Sequence, residues 1–209
     1  ENVRLIPNVC VGAKEKVRSV CLVTKGEDLE QVKSVALDVS SKTSVALTKI
    51  IFQEFLGFQP IYKEAKPNLD EMLADSDCAL LIGDPALIIA DSKFQIPDSQ
   101  TNNQIRKFDL AETWRKFTGF GFVFAMWMTR SETCEIDFAA ARDEGLNHLD
   151  EIISNYEVEI TLAHEDFKEY LSKNISYSIN DSMQKGLELY FELAYKNGLC
   201  PNLKELRFI

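Results

Sequence analysis

Three short apolar runs limit this chain most: "VRSVCLV" (17–23), "VKSVALD" (32–38) and "CALLIGD" (78–84). Each is β-rich, bounded by charged or turn residues, and too short for a buried helix, so each reads as a strand covered on both faces. Helix patterns lie between them. Ser44 to Leu56 places Leu47, Ile50, Ile51, Phe55 and Leu56 at helical spacing, with Gly57 as the stop. A short strand follows in "QPIYKEA", then a helix in "NLDEMLADSD" capped by Asn68, and Pro85 opens another helix in "PALIIAD". Strand and helix in alternation predict an α/β fold with a parallel-type sheet.

Residues 91–107 are polar and turn-rich and read as an exposed loop. Residues 108–118 read as a short helix, and "GFGFVFAMWMTR" (119–130) as an apolar strand. Beyond Arg130 only helix patterns remain, the last with Met183, Leu187, Tyr190, Phe191 and Ala194 along one face and Gly198 after it. The domain expectation is residues 1–19 as the remnant of a first lobe and a crossing strand, and 20–120 as a second α/β lobe. Residues 121–209 would be a return strand and helical tail packing on the first lobe.

Composition narrows the function classes. The chain has 209 residues, 45% hydrophobic and 27% charged, which is ordinary for a soluble globular protein. Its net charge of -10 comes without a Lys/Arg cluster, so neither nucleic acid nor an anionic membrane is an expected partner. No apolar run approaches the ~20 residues needed to span a bilayer, and no signal peptide is visible. The five cysteines, Cys10, Cys21, Cys78, Cys134 and Cys200, are widely spaced and form no Cys-x-x-Cys pair, so free thiols in a reducing cytoplasm are expected and a metal site is not. His148 and His164 lie in the helical tail and read as surface or packing residues.

Three places could hold a ligand. "VSSKTS" (39–44) is a strand-to-helix turn where Ser41 or Thr43 can serve as cap, and where several hydroxyls and Lys42 surround helix N–H groups that lack partners. Anion binding and capping alone both account for it; P-loop glycines are absent. Gly83 and Asp84 end a strand where α/β sheets bind ligands, or simply form a turn with Asp84 as cap. Thr118 and Gly119 precede an aromatic strand that otherwise reads as core.

Taken together, "VRSVCLVTK", "ALDVSSKTSVAL", "CALLIGDPAL" and "FDLAETWRKFTGFGFVFAMW" resemble the chorismate dehydratases of the futalosine route to menaquinone. That family shows V-x-S-V-x-L, D-x-x-S-x-T-S-x-x-L, L-I-G-D-x-A-L and D-L-x-x-x-W-x-x-x-T-G-x-P-F-V-F-A-x-W in the same order, and the match runs from about Leu5 to Arg130. The resemblance implies a fold like the type II periplasmic binding proteins: two lobes, parallel-type sheets, a helical C-terminal tail, and the substrate clamped between lobes. It implies a cytoplasmic lyase that dehydrates chorismate, a dianion, to 3-[(1-carboxyvinyl)oxy]benzoate without a cofactor. Ser19 falls on the serine at the lobe crossing and is carried over as catalytic. Ser41, Thr43, Ser44, Gly83, Asp84, Thr118 and Gly119 fall on substrate-binding motif positions. The family is thought to let the substrate's own side-chain carboxylate take the proton, so the lack of a histidine base is compatible with the activity.

The chain departs from the pattern twice. Nothing before Glu1 supplies the family's N-terminal segment with its Y-L-N-T-like motif, so an incomplete first lobe is expected, and Phe120-Gly121 stands where the family has an apolar residue and proline. The competing readings are a solute-binding-type protein that clamps an anion unchanged and an inactive truncated homologue. A third is the dihydroxynaphthoate-forming synthase, which relies on a cleft histidine.

Overall fold

The structure is a computed structural model that describes residues 3–89, 105–156, 159 and 162–209. In chain order the strands and helices begin with β1 (Arg4–Ala13), β2 (Val20–Thr24), β3 (Ser34–Asp38), α1 (Lys42–Ile50), β4 (Ile61–Ala65) and α2 (Leu69–Asp75). Next come β5 (Cys78–Ile82), α3 (Asp84–Ile88), β6 (Arg106–Asp109), α4 (Leu110–Thr118) and β7 (Phe122–Thr129). The helices α5 (Phe138–Asn147), α6 (Leu149–Tyr156), α7 (His164–Glu169) and α8 (Asp181–Lys196) complete the chain. They divide into two compact units, one made of Glu1–Val17 and Thr118–Ile209, the other of Arg18–Phe117.

The unit Arg18–Phe117 is built on a five-stranded sheet in the order β4-β3-β5-β2-β6. β3 runs parallel to β4 and β5, whereas β2 is antiparallel to both β5 and β6. The sheet is therefore mixed, a correction to the parallel-type sheet expected from the alternation: β2 precedes the first helix, so no crossover fixes its direction. Period-2 alternation sends Cys21, Val23, Ala36, Ala79 and Leu81 to one face, where Met72 and Leu73 of α2 and Ala86 of α3 cover them. Leu22, Val35, Leu37 and Leu80 on the other face are equally buried. Asp77 fastens the start of β3, its Oδ2 accepting from the Lys33 and Ser34 N–H groups and the Ser34 hydroxyl, each at 3.0 Å. Burial pushes that carboxyl up, but these hydrogen bonds outweigh it and the net shift is downward.

Several boundaries differ from the sequence reading. Residues 91–104 of the expected loop lie outside the described residues, but Arg106–Asp109 are strand β6, hidden because Arg, Lys and Asp on a four-residue edge strand look like loop. The helix expected over 44–56 starts two residues earlier and widens after Ile50 into a π-type turn, Ile51–Phe55. β2 begins only at Val20, because Arg18 takes the left-handed conformation (φ 65°).

In the other unit, β1 pairs antiparallel with β7, Arg4 opposite Thr129 and Ala13 opposite Phe122. The register shifts between Leu5 and Cys10, around Asn8 at φ 60°. Pro7 and Asn8 break the alternation there, which is why β1 is not visible as a strand in sequence. The outer edge of β1 is taken by two later segments: Gly12 and Ser176 exchange N–H···O bonds of 3.0 and 2.7 Å, and the Leu5 N–H donates to the Arg207 carbonyl at 2.7 Å. α8 packs Met183 and Leu187 onto Cys10 and Val123, and Tyr190 meets Phe122 edge to face at 5.2 Å. Burial of that kind pushes the Cys10 thiol up to about 11, and all five cysteines are free. Gly121, which replaces the family's proline, donates its N–H to the Ser182 hydroxyl at 3.1 Å, a bond proline cannot make. A Cβ on Gly186 would collide with the Gly121 carbonyl oxygen, so helix and strand approach backbone to backbone.

Gly186→Ala gains helix propensity of about 1 kcal/mol but overpacks against backbone at a cost of roughly 1–3 kcal/mol, so its urea midpoint falls. Gly145→Ala in α5, where the added methyl meets nothing within 4 Å, is the control and keeps or raises the midpoint. For Asp77 the folded carboxyl titrates below its unfolded counterpart, so its stabilisation is complete above the ordinary carboxylate pKa. It is lost as the pH falls through the lower folded value. An acid titration of Asp77→Asn followed by circular dichroism is expected to show a shallower loss of stability below about pH 4 than the parent.

Candidate functional site

Strand register gathers the ends of four strands at one edge of the sheet. Val20 lies opposite Ile82, Cys21 opposite Asp109 and Leu37 opposite Leu80. Ser19, the 38–44 turn, Gly83-Asp84 and Asp109 therefore share the carboxyl edge of β3, β5 and β6. From β3 the chain passes through α1 to β4 on one side, and then through α2 to β5 on the other. The edge between β3 and β5 is thus a switch point, where α/β sheets leave a crevice for ligands.

The hydroxyls of the 39–44 turn divide into two groups. Ser41 is the N-cap of α1: its Oγ accepts from the Ser44 N–H at 3.2 Å and from the Ser44 hydroxyl at 3.0 Å. Ser44 is itself 1% exposed, and its carbonyl receives the Thr48 hydroxyl at 2.9 Å. These two hold the turn from inside, so Ser44 is a support for the first helical N–H groups. Ser40 and Lys42 are exposed and Thr43 half-buried. The buried Asp38 carboxylate accepts from the Ser40 N–H at 2.9 Å and fixes where β3 ends.

Gly83 occupies φ 73°, ψ -142°, a region open essentially to glycine alone, although a Cβ there would meet nothing within 4 Å. Conformation, and not crowding, requires glycine here. It caps α3 without a side-chain bond, with Asp84 the first helical residue and exposed, so the capping role considered for Asp84 goes to the glycine backbone. The Gly83 N–H donates to the Ser19 carbonyl at 2.7 Å, which ties the candidate serine, 7% exposed, to the end of β5.

Two residues of this edge were missed. Asp109, 3% exposed, accepts from the Ala111 and Glu112 N–H groups at 2.9 and 3.1 Å and so caps α4. Its other oxygen accepts from the Arg18 N–H at 2.6 Å. Arg18, in turn, holds a backbone conformation that costs a non-glycine residue about 1–2 kcal/mol. Asp109 could have been found as an Asp-x-x-Glu capping box ahead of an amphipathic run. Nothing in the sequence announces Arg18.

Thr118 and Gly119 belong to the other unit. The Thr118 Oγ1 accepts from the Phe120 N–H at 3.1 Å across Gly119 at φ 76°, so the pair ends α4. Both histidines also lie in that unit, His148 beside the Glu144 carbonyl, which raises its pKa, and His164 3.5 Å from Asp150. Among the described residues no group of three His, Cys, Asp or Glu side chains gathers to hold a metal ion.

A family model described as menaquinone biosynthesis matches residues 1–196. The chain is 30% identical over 203 residues to a chorismate dehydratase of Thermus thermophilus, covering 92% of this chain and 73% of that protein. A crystal structure of protein AF1704 from Archaeoglobus fulgidus shares the fold with a TM-score of 0.60 at 17% identity, covering 96% of this chain and 75% of that one.

If Ser41 and Ser44 serve the turn, Ser41→Ala lowers stability by about 1–2 kcal/mol through the lost cap and the unpaired Ser44 hydroxyl, whereas exposed Ser40→Ala changes it by less than about 0.5 kcal/mol. Urea melts of the two variants check this, and equal losses would remove the distinction.

Proposed function

The chain belongs to the menaquinone-biosynthesis family, and on that footing we propose that it is a lyase that removes water from chorismate. A proton leaves the carbon bearing the enolpyruvyl ether and hydroxide leaves the neighbouring carbon, so the ring becomes aromatic and 3-[(1-carboxyvinyl)oxy]benzoate and water are released. Aromatisation drives the step, so binding and orientation are the larger part of what the protein must supply. The reading is of a carbon-oxygen lyase with the two-lobed fold of the type II periplasmic binding proteins. It acts on a small dianion in the cytoplasm and uses neither cofactor nor metal.

The observation that supports it is the meeting, at one sheet edge, of the motif residues Ser19, Ser41, Thr43, Ser44, Gly83 and Asp84. An acidic protein can hold a carboxylate there through the N–H groups at the start of α1, which Ser41 and Ser44 orient, with Thr43 and Lys42 beside them. Ser19, buried in the turn that leads into β2, is assigned to the reacting part of the substrate. Thr118 and Gly119 rest on the motif match alone. Among the described residues no helix is long and apolar enough to cross a membrane.

Incubation of the protein with chorismate, followed by liquid chromatography, is expected to show 3-[(1-carboxyvinyl)oxy]benzoate. Ser19→Ala and Thr43→Ala are expected to lower kcat/KM by about tenfold or more with the circular dichroism spectrum unchanged. Binding of chorismate without turnover would favour the solute-binding reading instead, and unchanged kinetics in both variants would sink the site.

A further inference from the structure

We infer that Asp109 is a positioning residue for Ser19, acting through the backbone of Arg18; the inference rests on the assignment of Ser19 to the substrate site. Arg18 immediately precedes Ser19 and sits at φ 65°, a conformation that a non-glycine residue adopts only when its surroundings impose it. The imposing contact is the Asp109 Oδ2, 2.6 Å from the Arg18 N–H. A charged acceptor at that distance is the strong form of the backbone hydrogen bond. The left-handed residue turns the chain so that the next carbonyl, that of Ser19, meets the Gly83 N–H at 2.7 Å.

The same carboxylate caps α4 through Ala111 and Glu112, and the Thr113 hydroxyl donates to the Asp109 carbonyl at 2.7 Å. Asp109 is thus held from its own side and is 3% exposed, a fixed post against which Arg18 is set. Two functions meet in one side chain: a helix cap, which serves stability, and an anchor for the turn before β2, which serves geometry. Removal of the carboxylate frees Arg18 to relax toward ordinary φ, and Ser19 and its bond to Gly83 move with it. Glycine at position 18 has no preference against φ > 0, so it can keep the turn without the anchor.

The test compares the parent, Asp109→Asn, Asp109→Ala and Arg18→Gly/Asp109→Ala. Each is read by chorismate kinetics well below its melting temperature and by the backbone amide spectrum. Expected are a kcat/KM reduced about tenfold or more in Asp109→Ala, an intermediate value in Asp109→Asn, and displaced Ser19 and Gly83 amide signals in both. In the double variant a substantial part of kcat/KM returns while the melting temperature stays as low as in Asp109→Ala, because the α4 cap is still missing. A purely structural Asp109 would lower the melting temperature and leave the folded fraction's kcat/KM and the Gly83 amide unchanged, which overturns the inference; so does a double variant without recovery. If the amides move as expected but the parent does not turn over chorismate, the anchor stands and the proposed reaction falls.

Discussion

β2 and β5 are flanked by strands on both sides and covered by side chains on both faces, and the rest of the unit Arg18–Phe117 is arranged around that burial. A strand enclosed in this way has no place for polar chemistry along its length, because an unpaired polar group there costs more than any bond it could make. Polar function is pushed to the strand ends. Of the two ends, the carboxyl edge of the parallel strands also receives the starts of α1, α3 and α4, so helix N–H groups that need partners from outside the helical ladder gather on that side. The serines, Gly83 and the buried carboxylates of Asp38 and Asp109 stand there because the interior leaves them nowhere else.

Much of this was legible in the residues. "SVALD" and "CALLI" are strands as their unbroken apolar character requires, and Asn68 caps α2 through the Glu71 N–H at 3.3 Å. What was not legible has identifiable causes. β6 is a short edge strand in which Arg106, Lys107 and Asp109 give no apolar pattern, and β1 is interrupted by Pro7 and a left-handed Asn8. The direction of β2 depends on a partner at distant sequence positions, and no local pattern encodes it. The cluster of hydroxyls in "VSSKTS" was ambiguous for another reason: capping and ligand binding ask for the same residue types, and only the hydrogen bonds of Ser41 and Ser44 separate them.

The distinction changes how the family motif is understood. In S-x-T-S, two of the three hydroxyls bond to each other and to the turn, so the motif reads first as a means of presenting backbone N–H groups in a fixed direction. Gly83 and Asp109 work alike, the first through a backbone angle and the second through a backbone partner. For an acidic chain this is a sound way to hold an anion, since N–H dipoles attract a carboxylate without adding cationic side chains.

The pairing of β1 with β7 and with the Ser176 and Arg207 segments bears on how the chain comes to be made. One unit is a single uninterrupted stretch and has all its own partners once Phe117 has been synthesised. The other is assembled from segments on either side of that stretch, so β1 waits with its hydrogen-bonding edges exposed until β7, Ser176 and Arg207 have left the ribosome. Its early strand is short of partners for longest, and Pro7 and the bulge at Asn8, which obscure it in the sequence, also make it a poor template for pairing with a neighbouring nascent chain.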